Sequence, residues 1–179
     1  GKPKVNNIFV FGNYTEKKFL GLLGGLVVKS NHPTDKAIYN FIKQSNLKIS
    51  EVEKVNEEVG FGISGLINEK KIISGNLQYL KKRGIKISSQ QKKIIQKEKN
   101  IGRMIVGLAV SDLLVGFLSL SDSIRPHAAH VVGELKKLGV DRIVILTGDN
   151  EIVASNVAKE IGVGEFQANL LPQDKVRFI

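Results

Sequence analysis

The chain has 179 residues, 42% of them hydrophobic, enough for one ordinary domain or two small ones with buried cores, which excludes a disordered polypeptide. Its formal net charge of +10 favours a polyanionic partner, whether nucleic acid, an acidic membrane surface or a nucleotide. There is no cysteine, so disulfides and thiolate metal sites are excluded, as fits a reducing compartment.

The placement of the charge argues against a reader of nucleic acid. Lys81, Lys82, Arg83, Lys86, Lys92, Lys93, Lys97 and Lys99 alternate with Ile and Gln at helical spacing, without the aromatic residues of a single-strand platform, and read as a solvated helix face. No run approaches the roughly 18 consecutive apolar residues of a membrane span, and Gly1-Lys2-Pro3-Lys4 lacks a signal peptide's apolar core, so a soluble chain is expected.

In chain order, Thr15 can cap a helix whose Phe19, Leu20, Leu23, Leu26 and Val27 share one face. Gly21, Gly24 and Gly25 weaken that helix and imply close packing against a neighbour. Pro33 then opens a second helix, with Ile38, Phe41 and Ile42 apolar, that runs to about Ser45. His32 sits at its exposed N-terminal end, where unpaired N–H groups favour an anion; taken alone, a plain helix cap is the commoner explanation of such a residue. These two helices precede any convincing strand pair.

The stretch 59–67 contains G-x-G-x-x-G at Gly60, Gly62 and Gly65. A dinucleotide fingerprint should open a helix, yet Leu66-Ile67 is followed by the charged turn 68–71 and another short strand, so the context is a β-hairpin and a Rossmann site is rejected. The glycines leave room for a ligand or another backbone, or mark a bulge. Gly75-Asn76 turns the chain into a short helix that stops at Gly84, and Ser88 with Gln91 forms a capping box for the next. Strand-like runs at 104–110 and 113–117 are joined by Ser111-Asp112. Residues 1–117 are therefore expected to be an α+β domain with an antiparallel sheet flanked by helices.

From residue 118 the grammar alternates strand and helix: a strand ending at Asp122, a helix 126–138, a strand 142–146, a helix 151–161 closed by Gly162, a strand 167–170 and a helix from Pro172. That alternation predicts parallel α/β units with ligands beyond the carboxyl ends of the strands, where Asp122 and Thr147-Gly148-Asp149 fall. His127 and His130, three apart on a helix, have metal-ligand spacing but no third ligand nearby and read as surface histidines; no metal site is expected. After a buried strand, Thr147 can donate to a phosphate oxygen, Gly148 admits backbone N–H groups, and Asp149 can orient its neighbours, while Lys175 adds a cation for a transferring phosphoryl group.

Ile145-Leu146-Thr147-Gly148-Asp149-Asn150, Asp122-Ser123-Ile124-Arg125-Pro126 and Leu170-Leu171-Pro172-Gln173-Asp174-Lys175 resemble the phosphorylation domain of P-type ATPases, a Rossmannoid fold of haloacid-dehalogenase type. Ser30-Asn31-His32-Pro33, the glycines of 60–65 and Gly75-Asn76 resemble the nucleotide-binding domain of the heavy-metal-transporting branch. The resemblance covers essentially the whole chain, with the motifs in order, and implies a nucleotide-binding domain at 1–117 joined to part of a phosphorylation domain at 118–179. It also implies an ATP-driven metal pump, with copper the expected cargo, ATP and Mg2+ as cofactors, a place on the cytoplasmic side of the membrane, and the transporter's own transmembrane and actuator domains as partners. His32, Gly60, Gly62, Gly75 and Asn76 would bind the nucleotide; Thr147, Asp149 and Lys175 would belong to the phosphoryl-transfer site.

Two departures qualify the expectation. In the family an acidic residue usually stands five positions before the His, where this chain has Val27, so selectivity for ATP is expected to be relaxed and Val27→Glu to sharpen it. The phosphorylated aspartate of the Asp-Lys-Thr-Gly-Thr motif would precede Gly1, and the magnesium-binding Gly-Asp-Gly would follow Ile179. The rival readings are a soluble haloacid-dehalogenase-like phosphatase with residues 1–117 as a cap, and a free-standing nucleotide-binding module.

Overall fold

The computed structural model describes residues 2–125 and 127–177. The chain divides into two compact units, one of Lys2–Lys99 with Arg103–Asp122, the other of Asn100–Gly102 with the residues from Ser123 onward.

The larger unit is a six-stranded sheet with helices on both faces. Its strands are β1 (Lys2–Val10), β2 (Glu53–Glu58), β3 (Gly62–Ile67), β4 (Lys70–Gly75), β5 (Met104–Val110) and β6 (Leu113–Ser123), in the order β1-β6-β5-β4-β3-β2. The pairs from β2 through β6 are all antiparallel. Alternate residues of each inner strand point to opposite faces: Ile72, Val106, Leu108 and Leu118 join one buried cluster, while Ile73, Ile105, Ala109 and Phe117 join another. Because both faces are covered, these strands read as continuous apolar runs rather than alternating ones. The first cluster is completed by α1 (Glu16–Val27) and α2 (Pro33–Gln44), the second by α3 (Leu77–Lys82) and α4 (Ser89–Asn100).

Local signals set the helix ends. The Thr15 hydroxyl accepts from Lys18 N–H at 3.3 Å, and Ser88 and Gln91 exchange the two bonds of a capping box, at 2.8 and 3.2 Å. The close packing expected of the α1 glycines is present: a Cβ on Gly25 would stand 2.2 Å from Ser50 O, so that face of the helix lies directly on the segment leading to β2.

Two strands differ from the sequence reading. β2 has a single apolar residue, Val55, and β1, at the other edge of the sheet, precedes the first helix pair that was expected to begin the fold. The run 118–120, read from the sequence as a continuation of the preceding strand, is part of β6: Leu118, Ser119 and Leu120 pair with Val106, Ile105 and Met104. Asp122 therefore lies within an antiparallel strand, one position before β6 ends at Ser123.

The smaller unit contains α5 (Ala128–Lys137), β7 (Val144–Leu146), α6 (Glu151–Ile161), β8 (Glu165–Gln167) and α7 (Pro172–Arg177). β7 and β8 pair in parallel across α6, the expected α/β unit, and Gly162 closes α6 in the left-handed conformation at φ 77°. Among the described residues, Val132, Ala154, Ala158 and Val163 are its buried apolar side chains. Among the described residues no helix is long and apolar enough to cross a membrane.

Candidate nucleotide cleft and phosphoryl loop

The five residues expected to bind nucleotide, His32, Gly60, Gly62, Gly75 and Asn76, line one cleft in the larger unit. It encloses about 150 Å³ and is open to solvent at its mouth. The N-terminus of α2, the end of β2, the β2–β3 turn, the end of β4 and the start of β5 form its walls.

His32 is the N-cap of α2, with Pro33 in the first turn, and its Nδ1 accepts from Thr34 N–H at 3.3 Å. Capping does not exhaust the ring. In the neutral imidazole an accepting Nδ1 leaves the proton on Nε2, so the far edge of His32 is a donor. The His32 N–H in turn donates to Ser30 Oγ at 3.1 Å, and the Ser30 hydroxyl donates to Glu57 Oε1 at 2.7 Å. Asp35, in the first turn of α2, is half-buried; burial pushes its carboxyl up, and Glu57's charge adds to this, against the lowering effects of Ser30 and His32.

Asn76 ties the floor of the cleft together. Its Oδ1 accepts from Tyr79 N–H at 2.8 Å to cap α3, its Nδ2 donates to Gly60 O at 3.3 Å, and its own N–H donates to Phe61 O at 3.1 Å. Gly62 and Gly75 face each other across β3 and β4. The space left by their missing side chains is filled by protein: a Cβ on Gly62 would lie 2.3 Å from Ser74 O, and one on Gly75 would lie 2.5 Å from Phe61 O. Gly60 is different in kind, with φ 79° and nothing within reach of a Cβ. The glycines thus form the cleft's backbone frame, two by close approach and one by its turn.

Glu57, Glu58, Phe61 and Met104 also line the cleft and were not singled out from the sequence. Glu58 is ion-paired to Arg83 and, at 3.4 Å, to Lys82; the Lys82 ammonium also lies 5.5 Å from the centre of the Phe61 ring. The available signal was position, since the two glutamates directly precede the glycine turn. Val27 lies in the α1 core face at 1% exposure, outside the cleft lining. A glutamate there would be buried among apolar side chains, so the sharpened selectivity expected of Val27→Glu has no structural basis.

In the smaller unit Thr147 and Asp149 form a closed loop at the end of β7. The Thr147 hydroxyl donates to Asp149 Oδ2 at 2.8 Å and accepts from Asp149 N–H at 3.0 Å, while Asn150 caps α6 through Val153 N–H at 3.1 Å. Backbone bonds from Asn169 N–H to Asp149 O and from Leu170 N–H to Thr147 O, at 2.8 and 3.0 Å, hold this loop against the one that leads into α7. Lys175 lies on α7; its side chain, like Pro126, is outside the described residues. Asp149 is one oxygen donor, but among the described residues no group of three His, Cys, Asp or Glu is arranged to hold a metal ion, so these residues by themselves do not make a Mg2+ site.

A family profile described as "Hydrolase: haloacid dehalogenase-like hydrolase" matches residues 2–179. A zinc-exporting P-type ATPase of Mycobacterium marinum is 30% identical over 180 residues, covering 100% of this chain and 25% of that protein. A copper-exporting P-type ATPase of Vibrio cholerae is 31% identical, covering 100% and 19%. Among solved structures, a zinc-transporting PIB-type ATPase in its E2.Pi state superposes with a TM-score of 0.80 at 31% identity, covering 100% of this chain and 28% of that one. The catalytic domain of a CPx-ATPase, solved in a study of its conformational changes upon nucleotide binding, superposes with a TM-score of 0.64 at 25% identity, covering 99% and 61%. The chain thus spans about a quarter of the length of such curated relatives, and they are heavy-metal P-type ATPases. With the match running through both the cleft-bearing unit and the Thr147 loop, the chain belongs to the haloacid dehalogenase-like hydrolase family.

Proposed function

We propose that this chain is the ATP-binding and phosphoryl-transfer part of the cytoplasmic head of an ATP-driven heavy-metal transporter. The observation that carries the reading is the convergence of His32, Gly60, Gly62, Gly75 and Asn76 on one cleft, although they are spread over more than 40 residues of sequence. The residues suit a nucleotide. His32 presents an Nε2–H donor at the N-terminal end of α2, Phe61 and Met104 supply partly exposed apolar surface for a base, and the cleft is open at one side. In the smaller unit, Thr147, Asp149 and Lys175 are assigned to the phosphoryl group. The hydroxyl and carboxylate that now satisfy each other would turn to it, and the Lys175 ammonium would neutralise its charge.

In the whole protein this head would work with transmembrane and actuator domains, on the cytoplasmic face of the membrane. Relatives export zinc as well as copper, so the cargo is proposed as a heavy-metal cation, copper being one of its members.

Two measurements test the reading. Titration calorimetry of the 179-residue chain with ATP should show binding that His32→Ala weakens about five- to tenfold, the worth of one hydrogen bond in a partly desolvated site; unchanged affinity would reduce His32 to a helix cap. The 179 residues contain no Asp-Lys-Thr-Gly-Thr sequence. The same chain incubated with γ-labelled ATP should therefore bind it without forming an acyl phosphate, and acid-stable, hydroxylamine-sensitive label on the chain would contradict that.

A further inference from the structure

Two carboxylates end β2 and line the cleft, and the structure treats them differently. Glu58 is matched by Arg83 and Lys82. Glu57 is exposed, has no cation partner among the described residues, and is held by one contact, the Ser30 hydroxyl 2.7 Å from its Oε1. That bond fixes its orientation while leaving most of its acceptor capacity open, since a carboxylate has about four lone-pair sites. The Ser30 oxygen also accepts the His32 N–H at 3.1 Å, so a glutamate acceptor and a histidine donor are tied to the same hydroxyl on one side of the cleft. Phe61 and Met104, 41% and 43% exposed despite being large and apolar, line the same cleft and offer surface for a flat ring. Helix α1 contributes no residue to the lining, and Val27 is in the core. Among the described residues Asp35 is the other acid in the lining, and it is half-buried with its ionisation opposed by burial.

Resting on the nucleotide reading above, we infer that Glu57 is the specificity-determining residue of the cleft, its carboxylate accepting from the exocyclic amino group of a 6-aminopurine nucleotide. A 6-oxopurine turns a carbonyl oxygen toward the same carboxylate, acceptor against acceptor, and is rejected. A site built around one acceptor discriminates between such isosteres because the wrong base leaves a charged group unpaired.

ATP and ITP carry the same sugar and triphosphate and differ only along one edge of the base, where the 6-amino group beside an acceptor N1 becomes a carbonyl beside an N1–H, so their affinities for the 179-residue chain, measured by titration calorimetry, read that edge. The wild-type chain should prefer ATP about tenfold, the value of one charge-assisted hydrogen bond. Glu57→Gln, whose amide can turn its N–H to a carbonyl, should bring the ratio to about one, and Ser30→Ala, which frees Glu57 to swing, should reduce it partway. Circular dichroism confirms the fold of each variant, and Glu57 is an exposed side chain on an edge strand. A wild-type chain that binds both nucleotides equally, or a Glu57→Gln chain that keeps the wild-type ratio, overturns the assignment of Glu57 and leaves the nucleotide reading standing. Binding of neither nucleotide by the wild-type chain overturns that reading and this inference with it.

Discussion

Gly62 and Gly75 show how little freedom the frame of the cleft allows. Each is the other's partner in the β3–β4 register, and a methyl group on Gly62 would meet Ser74 O, the Tyr79 ring and the Gly75 Cα, all within 2.8 Å. Two of those three contacts are backbone, which cannot rotate away. Gly62→Ala should therefore cost about 3 kcal/mol in chemical denaturation and distort the cleft, as overpacking does. Gly60→Ala meets open space, and only its φ of 79° is strained, so about 1 kcal/mol is expected. Equal losses at the two positions would mean that conformation, not contact, explains both.

A second residue-scale test concerns Glu98. Burial alone would raise its pKa, but Arg103 and Asn7 outweigh this and hold the carboxyl below the usual glutamate range; the Arg103 contact is 2.9 Å and the nearer Asn7 contact 3.2 Å. A depressed folded-state pKa means that the stabilisation is present above the unfolded-state value and lost as pH falls through the folded one. Arg103→Ala should lower stability by about 2 kcal/mol near pH 7 and by less at a strongly acidic pH, because protonating Glu98 removes the pair. Urea denaturation at the two pH values reads the difference. Asp35 has the opposite sign: its raised pKa favours the fold at low pH and ceases to do so as pH rises.

At the scale of elements, the helices with local signals were legible. Thr15, Pro33, the Ser88–Gln91 capping box and Gly162 each act within four residues of the end that they set, so their chemistry is written next to their effect. β1 and β2 were not, because their place depends on partners far along the chain. β2 reads Glu-Lys-Val-Asn-Glu-Glu, without apolar alternation, and is a strand because β3 offers it hydrogen bonds, with a register shift between Glu53 and Asn56. The candidate site followed the same division. His32, the glycines and Asn76 stood out because each is a residue type with a special backbone or capping role. Glu57 sat in a charged stretch that reads as solvated surface, and only the approach of Ser30 from 27 residues away distinguishes it.

For the whole molecule, the decisive fact is that the two units have separate interiors of unequal size. The larger contains both extended apolar clusters, whereas the buried apolar side chains described in the smaller are Val132, Ala154, Ala158 and Val163. Burial at about 25 cal/mol per Å² gives the smaller unit the lower intrinsic stability. Heating should accordingly resolve two calorimetric transitions, with ATP raising only the one that belongs to the larger unit, by about 2.7 kcal/mol of added stability at a hundredfold excess over Kd. A single transition, or a shift of both, would show the units to be thermodynamically coupled. The strand order has a consequence of another kind. A sheet with two open sides can add strands from other molecules, and here the outer positions are taken by β1, which begins Lys-Pro-Lys, and β2, in which Glu53, Lys54, Glu57 and Glu58 occupy four of six places. Charged side chains on an outer strand oppose sheet extension by another molecule, which gives the exposed glutamates of β2 a duty that holds whether or not a ligand is bound.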